Sequence, residues 1–132
     1  MNKKIEKQII EEMVESASER IGSAKLLAKF GNFRDSISRA YYANVDILRG
    51  LLELEDTYAK THKGMIDKFY LLYVKTGKFD KKFHNFVVKA EMLRKDADYS
   101  PKFVATIDMV ENAIEKTEMF LTEVKKYLDK VV

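Results

Sequence analysis

The chain contains no cysteine, no tryptophan, one proline and five glycines among 132 residues. Without cysteine there are no disulfides, no thiolate nucleophile and no sulfur-ligated zinc, a composition that suits a reducing compartment. The single proline, Pro101, and two of the glycines, Gly31 and Gly77, fall where helices are expected to start or stop. No apolar run approaches the roughly 18 residues of a membrane span, and the opening Met1-Asn2-Lys3-Lys4-Ile5-Glu6 turns acidic too early for a signal peptide. The expectation is a cytoplasmic protein without a membrane association. HExxH, the P-loop, GxGxxG and GxSxG are missing. Neither His62 nor His84 has the Glu three residues earlier that a di-iron bundle requires, so no cofactor and no metal is expected.

What is present is a globular composition, 46% hydrophobic and 34% charged, which suits one domain over residues 1–132. The formal charge of +3 is unevenly spread: residues 60–89 carry eight lysines against Asp67 and Asp80 and are +6 by themselves. Lys78, Lys81 and Lys82 form the densest part of this basic segment. Lysines neutralise phosphates and the interleaved aromatics could stack on bases. Phe69, Tyr70, Tyr73, Phe79, Phe83 and Phe86 fall mostly on apolar stripes, however, and read better as core.

Helical periodicity organises the whole chain and no strand pattern competes with it. A first helix is expected from about Lys3 to Phe30, closed by Gly31-Asn32, and a second from Arg34 or Asp35 to about Glu55. A third runs from His62, capped by Thr61, to about Lys75, and a fourth from Asp80 to about Asp98. In the fifth, Ser100 would cap and Pro101 would occupy the first turn, with Phe103 through Val131 repeating at spacings of four and three. The pattern predicts an all-α, up-and-down bundle of about five helices, whose first and last helices carry coiled-coil-like seams.

Two places on these helices carry candidate chemistry. Arg94 projects among Phe83, Phe86, Val87, Ala90, Leu93 and Ala97 on the face expected to be buried. A guanidinium there needs a partner, and Asp98 lies four residues on, with Tyr99 beside it. The second helix presents Arg39, Tyr42, Asp46, Arg49 and Glu53 opposite its apolar stripe, with Asp35–Arg39, Asp46–Arg49 and Arg49–Glu53 at ion-pair spacing. His62, on the side of Ile66, Phe69 and Tyr73, reads as a packed histidine or a titrating group in a cleft. His84, four residues after Asp80, reads as a surface pair.

Ser38-Arg39-Ala40-Tyr41-Tyr42-Ala43, then Thr61-His62-Lys63-Gly64-Met65-Ile66, then Leu93-Arg94-Lys95-Asp96-Ala97-Asp98-Tyr99, in this order and spacing, resemble the small stand-alone HEPN proteins. The resemblance spans about residues 17 to 130. It implies a helical bundle, a homodimer, and pairing with a minimal nucleotidyltransferase in a toxin–antitoxin-like module. Many such proteins are metal-independent ribonucleases in which an Arg is followed by a His after four to six residues. This chain departs there: after Arg94 those places hold Tyr99, Ser100 and Pro101, and after Arg39 they hold Asn44, Val45 and Asp46. Cleavage without a metal needs a base and an acid, a task histidine serves near neutral pH.

The sequence therefore reads as a nucleotide- or RNA-interacting component rather than a competent enzyme, with Arg39, Tyr42, Asp46, His62, Arg94, Asp98 and Tyr99 as candidate ligand-binding residues. A ribonuclease with a non-standard site and a non-catalytic helical adaptor are the alternatives. A homodimer burying about 1,200 Å² or more is expected at micromolar concentration. Sedimentation should then give twice the 15.4 kDa chain mass, and a purely monomeric profile would remove the expectation.

Overall fold

The computed structural model describes residues 1–131 and contains five α-helices: α1 (Lys3–Lys29), α2 (Phe33–Leu54), α3 (His62–Phe69), α4 (Lys81–Tyr99) and α5 (Ile107–Val131). A π-helical turn, Tyr70–Val74, continues α3. The described residues contain no strand, so the all-α bundle expected from periodicity is the observed architecture.

Local chemistry accounts for most of the boundaries. Asn2 caps α1 by accepting from the Ile5 amide at 2.9 Å. Gly31, at φ 79°, closes it by donating to Ala28 while Asn32 donates back to Leu27. These are the paired bonds of a helix ending in a left-handed residue. The end of α2 repeats the device with Asp56 at φ 52°, a position the sequence does not advertise with a glycine. Thr61 accepts from the Gly64 amide at the start of α3, as expected, and Asp80 accepts from the Lys82 amide at the start of α4.

Helix α5 starts six residues later than Ser100-Pro101 suggests. Residues 101–106 form a turn and an irregular stretch, and Thr106 supplies the cap, its hydroxyl accepting from the Met109 amide at 3.3 Å. The cause is Arg34, whose guanidinium donates to the carbonyls of Ala97, Pro101 and Phe103. A helix begun at Pro101 would engage the carbonyls that Arg34 takes, and the cation at the start of α2 instead straps the α4–α5 connection down.

α2 is the central helix, buried on nearly every side: Ile37, Ala40, Tyr41, Ala43, Val45, Ile47, Leu48, Leu51 and Leu52 are all in the core. Antiparallel α1 meets it through Ala17, Ala24 and Met13, and the Ser36 hydroxyl donates to the Ala24 carbonyl at 2.7 Å. α5 runs alongside α2, tied at mid-length by Asn44 Nδ2 donating to Thr117 Oγ1 at 3.0 Å. Far from the α1–α2 turn, Phe69, Tyr73, Phe79, Phe83, Phe120 and Tyr127 form an aromatic cluster. The aromatics of the basic segment thus pack inside, apart from the half-buried Tyr70 and Phe86.

The seams of the first and last helices are likewise consumed within the chain. Met13, Ala17, Ile21 and Ala24 on α1 and Val110, Ile114, Thr117, Leu121, Val124 and Leu128 on α5 are buried. Ile107 and Val131, at the two ends of the α5 seam, stay exposed.

α1 and α2 approach closely at Gly50, where an added Cβ would lie 2.6 Å from Met13 Sδ and 2.8 Å from Met13 Cβ. Gly50→Ala is expected to destabilise the fold by about 1–3 kcal/mol through overpacking, despite the better helix propensity of alanine. Thermal or denaturant melts check this, and a neutral result would show that α1 and α2 shift apart there at little cost.

Candidate functional site

Arg94 is buried, its side chain 7% exposed, as its place on the α4 stripe predicts. Its principal partner is Glu91, one turn earlier, rather than Asp98. Arg94 Nη2 donates to the two Glu91 carboxylate oxygens at 3.0 and 3.2 Å, whereas Nη1 stands 3.5 Å from Asp98 Oδ2. The reason is depth: Glu91 is 14% exposed and Asp98 27%, so the stronger charge compensation comes from the carboxylate inside. The Arg94 guanidinium carbon also lies 5.1 Å from the ring of Tyr41 and 5.9 Å from those of Tyr42 and Tyr99.

α3 reaches the same place through its first residue. The half-buried His62 ring packs 5.5 Å from Tyr41 and 5.8 Å from Tyr42, and its Nδ1 is 3.7 Å from Glu91 Oε2. Thr61, by capping α3, fixes where that imidazole enters. Arg94 and His62 therefore converge on one carboxylate from different helices, with Tyr41 and Tyr42 of α2 between them. Lys95 Nζ approaches the same carboxylate at 3.6 Å from the solvent side.

The electrostatics follow from this crowding. Burial alone would raise the Glu91 carboxyl, but Tyr41, Arg94 and His62 together outweigh it and hold it below its ordinary value. Burial, reinforced by Glu91, pushes the Tyr41 phenol well above its ordinary value, so it stays a neutral donor. Burial opposes the Arg94 charge, and Glu91 more than restores it. The Tyr41 hydroxyl turns to the Glu91 carboxylate without a close hydrogen bond, and Arg94 Nε is buried with no partner. Nε is a donor, which an acceptor beside it would satisfy.

Arg94 opens toward solvent through a shallow cleft shared with Lys95, Asp96, Tyr99, Ser100 and Pro101. Tyr99 is 75% exposed there. A second cleft, between α1 and α2, holds Arg20, Asp35, Ser38, Arg39 and Tyr42. Ser38 Oγ donates to Asp98 Oδ2 at 3.4 Å and links the two.

Five of the seven residues proposed from sequence, Tyr42, His62, Arg94, Asp98 and Tyr99, thus share one neighbourhood. Arg39 lies exposed in the second cleft, away from Arg94 itself. Asp46 does not join them. It is buried against α1, where Arg20 Nε donates to its carboxylate at 2.6 Å, with Arg49 at 4.0 Å. The Asp35–Arg39 and Arg49–Glu53 pairs are not formed among the described residues, Arg49 standing near Asp46 instead. His84 is also reassigned: its ring packs 5.1 Å from Tyr70, and Asp80 is occupied capping α4.

The basic patch divides. Lys78 pairs with Glu55 at 3.3 Å and covers the Tyr73 ring at 5.3 Å. Lys81 remains exposed, and Lys82 lies over Phe83 at the edge of a different groove. Among the described residues, no group of three His, Asp or Glu side chains is placed to hold a metal ion. No described helix is long and apolar enough to cross a membrane.

Glu91 is the residue that sequence reasoning missed. Its signal was its place three residues before Arg94 on the same helical side, as good a spacing for an ion pair as that of Asp98.

The chain is thus an all-α bundle with a buried Arg on its fourth helix, met by tyrosines of the second. The HEPN domain model matches residues 10–127, and the chain belongs to that family. Three relatives match over most of their own length. Two proteins of Methanocaldococcus jannaschii, both named "Putative toxin", are 32% identical over all of this chain and 97% of the relative, and 25% identical over 92% of this chain and 83% of the relative. A Thermotoga maritima protein named "UPF0332 protein" is 31% identical over 98% of this chain and 96% of its own length.

Glu91→Ala, which strands a buried guanidinium, is expected to destabilise the fold by about 3–5 kcal/mol, and Asp98→Ala by under about 1 kcal/mol. Melts of both, with the Glu91→Ala/Arg94→Met double variant recovering part of the loss, check the assignment. Because the folded Glu91 carboxyl lies below its ordinary 4.5, its contribution is fully present above that pH and is lost as pH falls through the depressed value. Glu91→Gln should accordingly flatten the acid limb of stability against pH, and an unchanged limb would contradict the coupling.

Proposed function

We propose that this chain is the HEPN component of a toxin–antitoxin-like pair with a minimal nucleotidyltransferase, and that it acts by binding RNA or a nucleotide at the Arg94 site. The observation that carries this reading is the convergence of Arg94 and His62 beside the exposed Tyr99 and the cleft of Arg39. A phosphate oxygen is an acceptor, as the unpaired Arg94 Nε requires. Exposed Tyr99 offers a face for a base and Arg39 a cation for the backbone. The names of the M. jannaschii relatives support the toxin side of the pairing. A homodimer, which the family resemblance implies, would bring two such sites into one assembly.

A second reading is favoured by one distance, the 3.7 Å between His62 Nδ1 and Glu91. It supplies an imidazole, oriented by a carboxylate, near the guanidinium although no His follows Arg94 in sequence. In that reading His62 moves the proton of a ribose hydroxyl and the chain is a metal-independent ribonuclease.

Binding of labelled single-stranded RNA should weaken steeply with salt while the RNA stays intact. Arg39→Ala should lower the slope of log affinity against log salt by about 0.7, and Tyr99→Ala should weaken binding at all salt concentrations. Both side chains are exposed, so neither change threatens the fold. Cleavage in the presence of a chelator that disappears in His62→Ala would replace the first reading with the second. An absence of both binding and cleavage would leave a helical adaptor.

A further inference from the structure

Helices α4 and α5 leave between them a groove of about 350 Å³, lined by Lys82, Phe83, Phe86, Lys89, Lys116 and Met119, with Asn85 at its edge. At 3.6 residues per turn, Lys82, Phe86 and Lys89 project from α4 on the side away from Glu91 and Arg94, so this surface is separate from the site described above. Its floor is apolar and both of its walls are cationic.

The three lysines of the groove differ from the lysines that are matched to carboxylates elsewhere on the chain. Lys25, Lys63, Lys78 and Lys95 each have a carboxylate within ion-pair distance. Lys82, Lys89 and Lys116 have none among the described residues. The sequence withholds one: positions three and four residues from each hold Lys, Phe, Asn, Met, Leu or Ala, and no Asp or Glu. Three positive charges border an apolar floor without internal compensation, which is complementary to an apolar stripe bordered by negative charge.

The floor discriminates among polyanions. Phe83 is 7% exposed, stacks on Phe120 at 5.5 Å and carries the Lys82 ammonium 5.2 Å over its ring, which leaves little face for a nucleobase. Phe86 and Met119 offer an edge and a flexible thioether, surfaces that receive aliphatic side chains. Lys82 and Lys89 are two helical turns apart, about 10 Å at 1.5 Å per residue, a span matched by anchors at i, i+3 or i+4, and i+7 of a docked helix. A single-headed amphiphile would need a cation at one end only, whereas here cations stand along both walls.

We propose that the α4–α5 groove is a docking surface for an acidic amphipathic helix of a partner protein, aliphatic side chains seated on Phe86 and Met119 and carboxylates on both borders meeting Lys82, Lys89 and Lys116. The proposal does not depend on the Arg94 site. The test uses the full chain and a fluorescein-labelled synthetic helix of about 16 residues, its leucine stripe bordered by glutamates on both sides. A second peptide with lysine borders and a single-stranded oligouridylate of equal charge are the comparisons, all read by anisotropy. The glutamate peptide should bind and the lysine peptide should not. Lys89→Glu on one wall, Lys116→Glu on the other and Met119→Lys on the floor should each weaken binding by about tenfold. Lys63→Glu, which changes net charge equally on α3, should leave it unaltered. Equal weakening by Lys63→Glu would reduce the effect to net charge, and no binding of the glutamate peptide would overturn the proposal. Oligouridylate binding that responds to Lys89→Glu and Lys116→Glu while the peptide does not bind would assign the groove to nucleic acid instead.

Discussion

A guanidinium inside a helical bundle has to be compensated where it stands, and the arrangement of three helices follows from that requirement at Arg94. Desolvating a cation and a carboxylate costs several kcal/mol each, and the cost is recovered only with close geometry and further hydrogen-bonding or polarisable neighbours. Glu91 supplies the geometry from within α4. α2 supplies Tyr41 and Tyr42, whose ring faces accept the cation. α3 is then held at its first residue, because His62 packs on both tyrosines and approaches the same carboxylate. The short helix therefore begins where the buried charge needs a neighbour.

Smaller polar contacts fix the register of the remaining helices in the same manner. Ser36 donates to the Ala24 carbonyl across the α1–α2 crossing, and Asn44 donates to Thr117 across α2 and α5. Each is fully buried, so sliding either helix by a turn would leave a polar atom unpaired. Arg20 and Asp46 perform the equivalent task nearer the surface. The apolar residues determine that these helices pack, and the sparse polar ones determine at which height.

How far the sequence revealed this depends on the range of the interaction involved. Helix existence, the Thr61 cap and the Gly31 stop rest on neighbours within a few residues, and periodicity or turn chemistry exposes them. The start of α5 does not: Ser100-Pro101 is a sound local start signal, overruled by Arg34 from more than 60 residues away. The π-helical turn at Tyr70–Val74 and the left-handed Asp56 carry no local marker at all. At the site, the burial of Arg94 was legible from spacing alone, but two carboxylates stood at equally good distances along the helix, and only the tertiary depth of each decides between Glu91 and Asp98. The place of His62 needed the α2–α3 packing, which no pattern in one helix reports.

The same distinction clarifies the +6 segment, which as a sequence feature looked like one patch. Folding distributes its charges among unlike roles. Lys63 and Lys78 are matched to Asp67 and Glu55, and Lys68 donates to the Tyr58 carbonyl. Lys82 and Lys89 are left uncompensated at the groove beside α5. Part of the surplus positive charge thus lies on the side of α4 opposite the Arg94 cluster, where Arg94 and Lys95 are balanced by Glu91 and Asp98. A polyanion attracted by the long-range field of the protein would be steered first toward the lysine side. Productive contact with Arg94 would then require displacing or sharing its carboxylate. Burial of an ion pair that well-packed apolar residues could replace without loss of stability is weak evidence for a stabilising role. Its effect in this fold is positional, since Arg94, Glu91, Tyr41 and His62 tie α2, α3 and α4 together at one point.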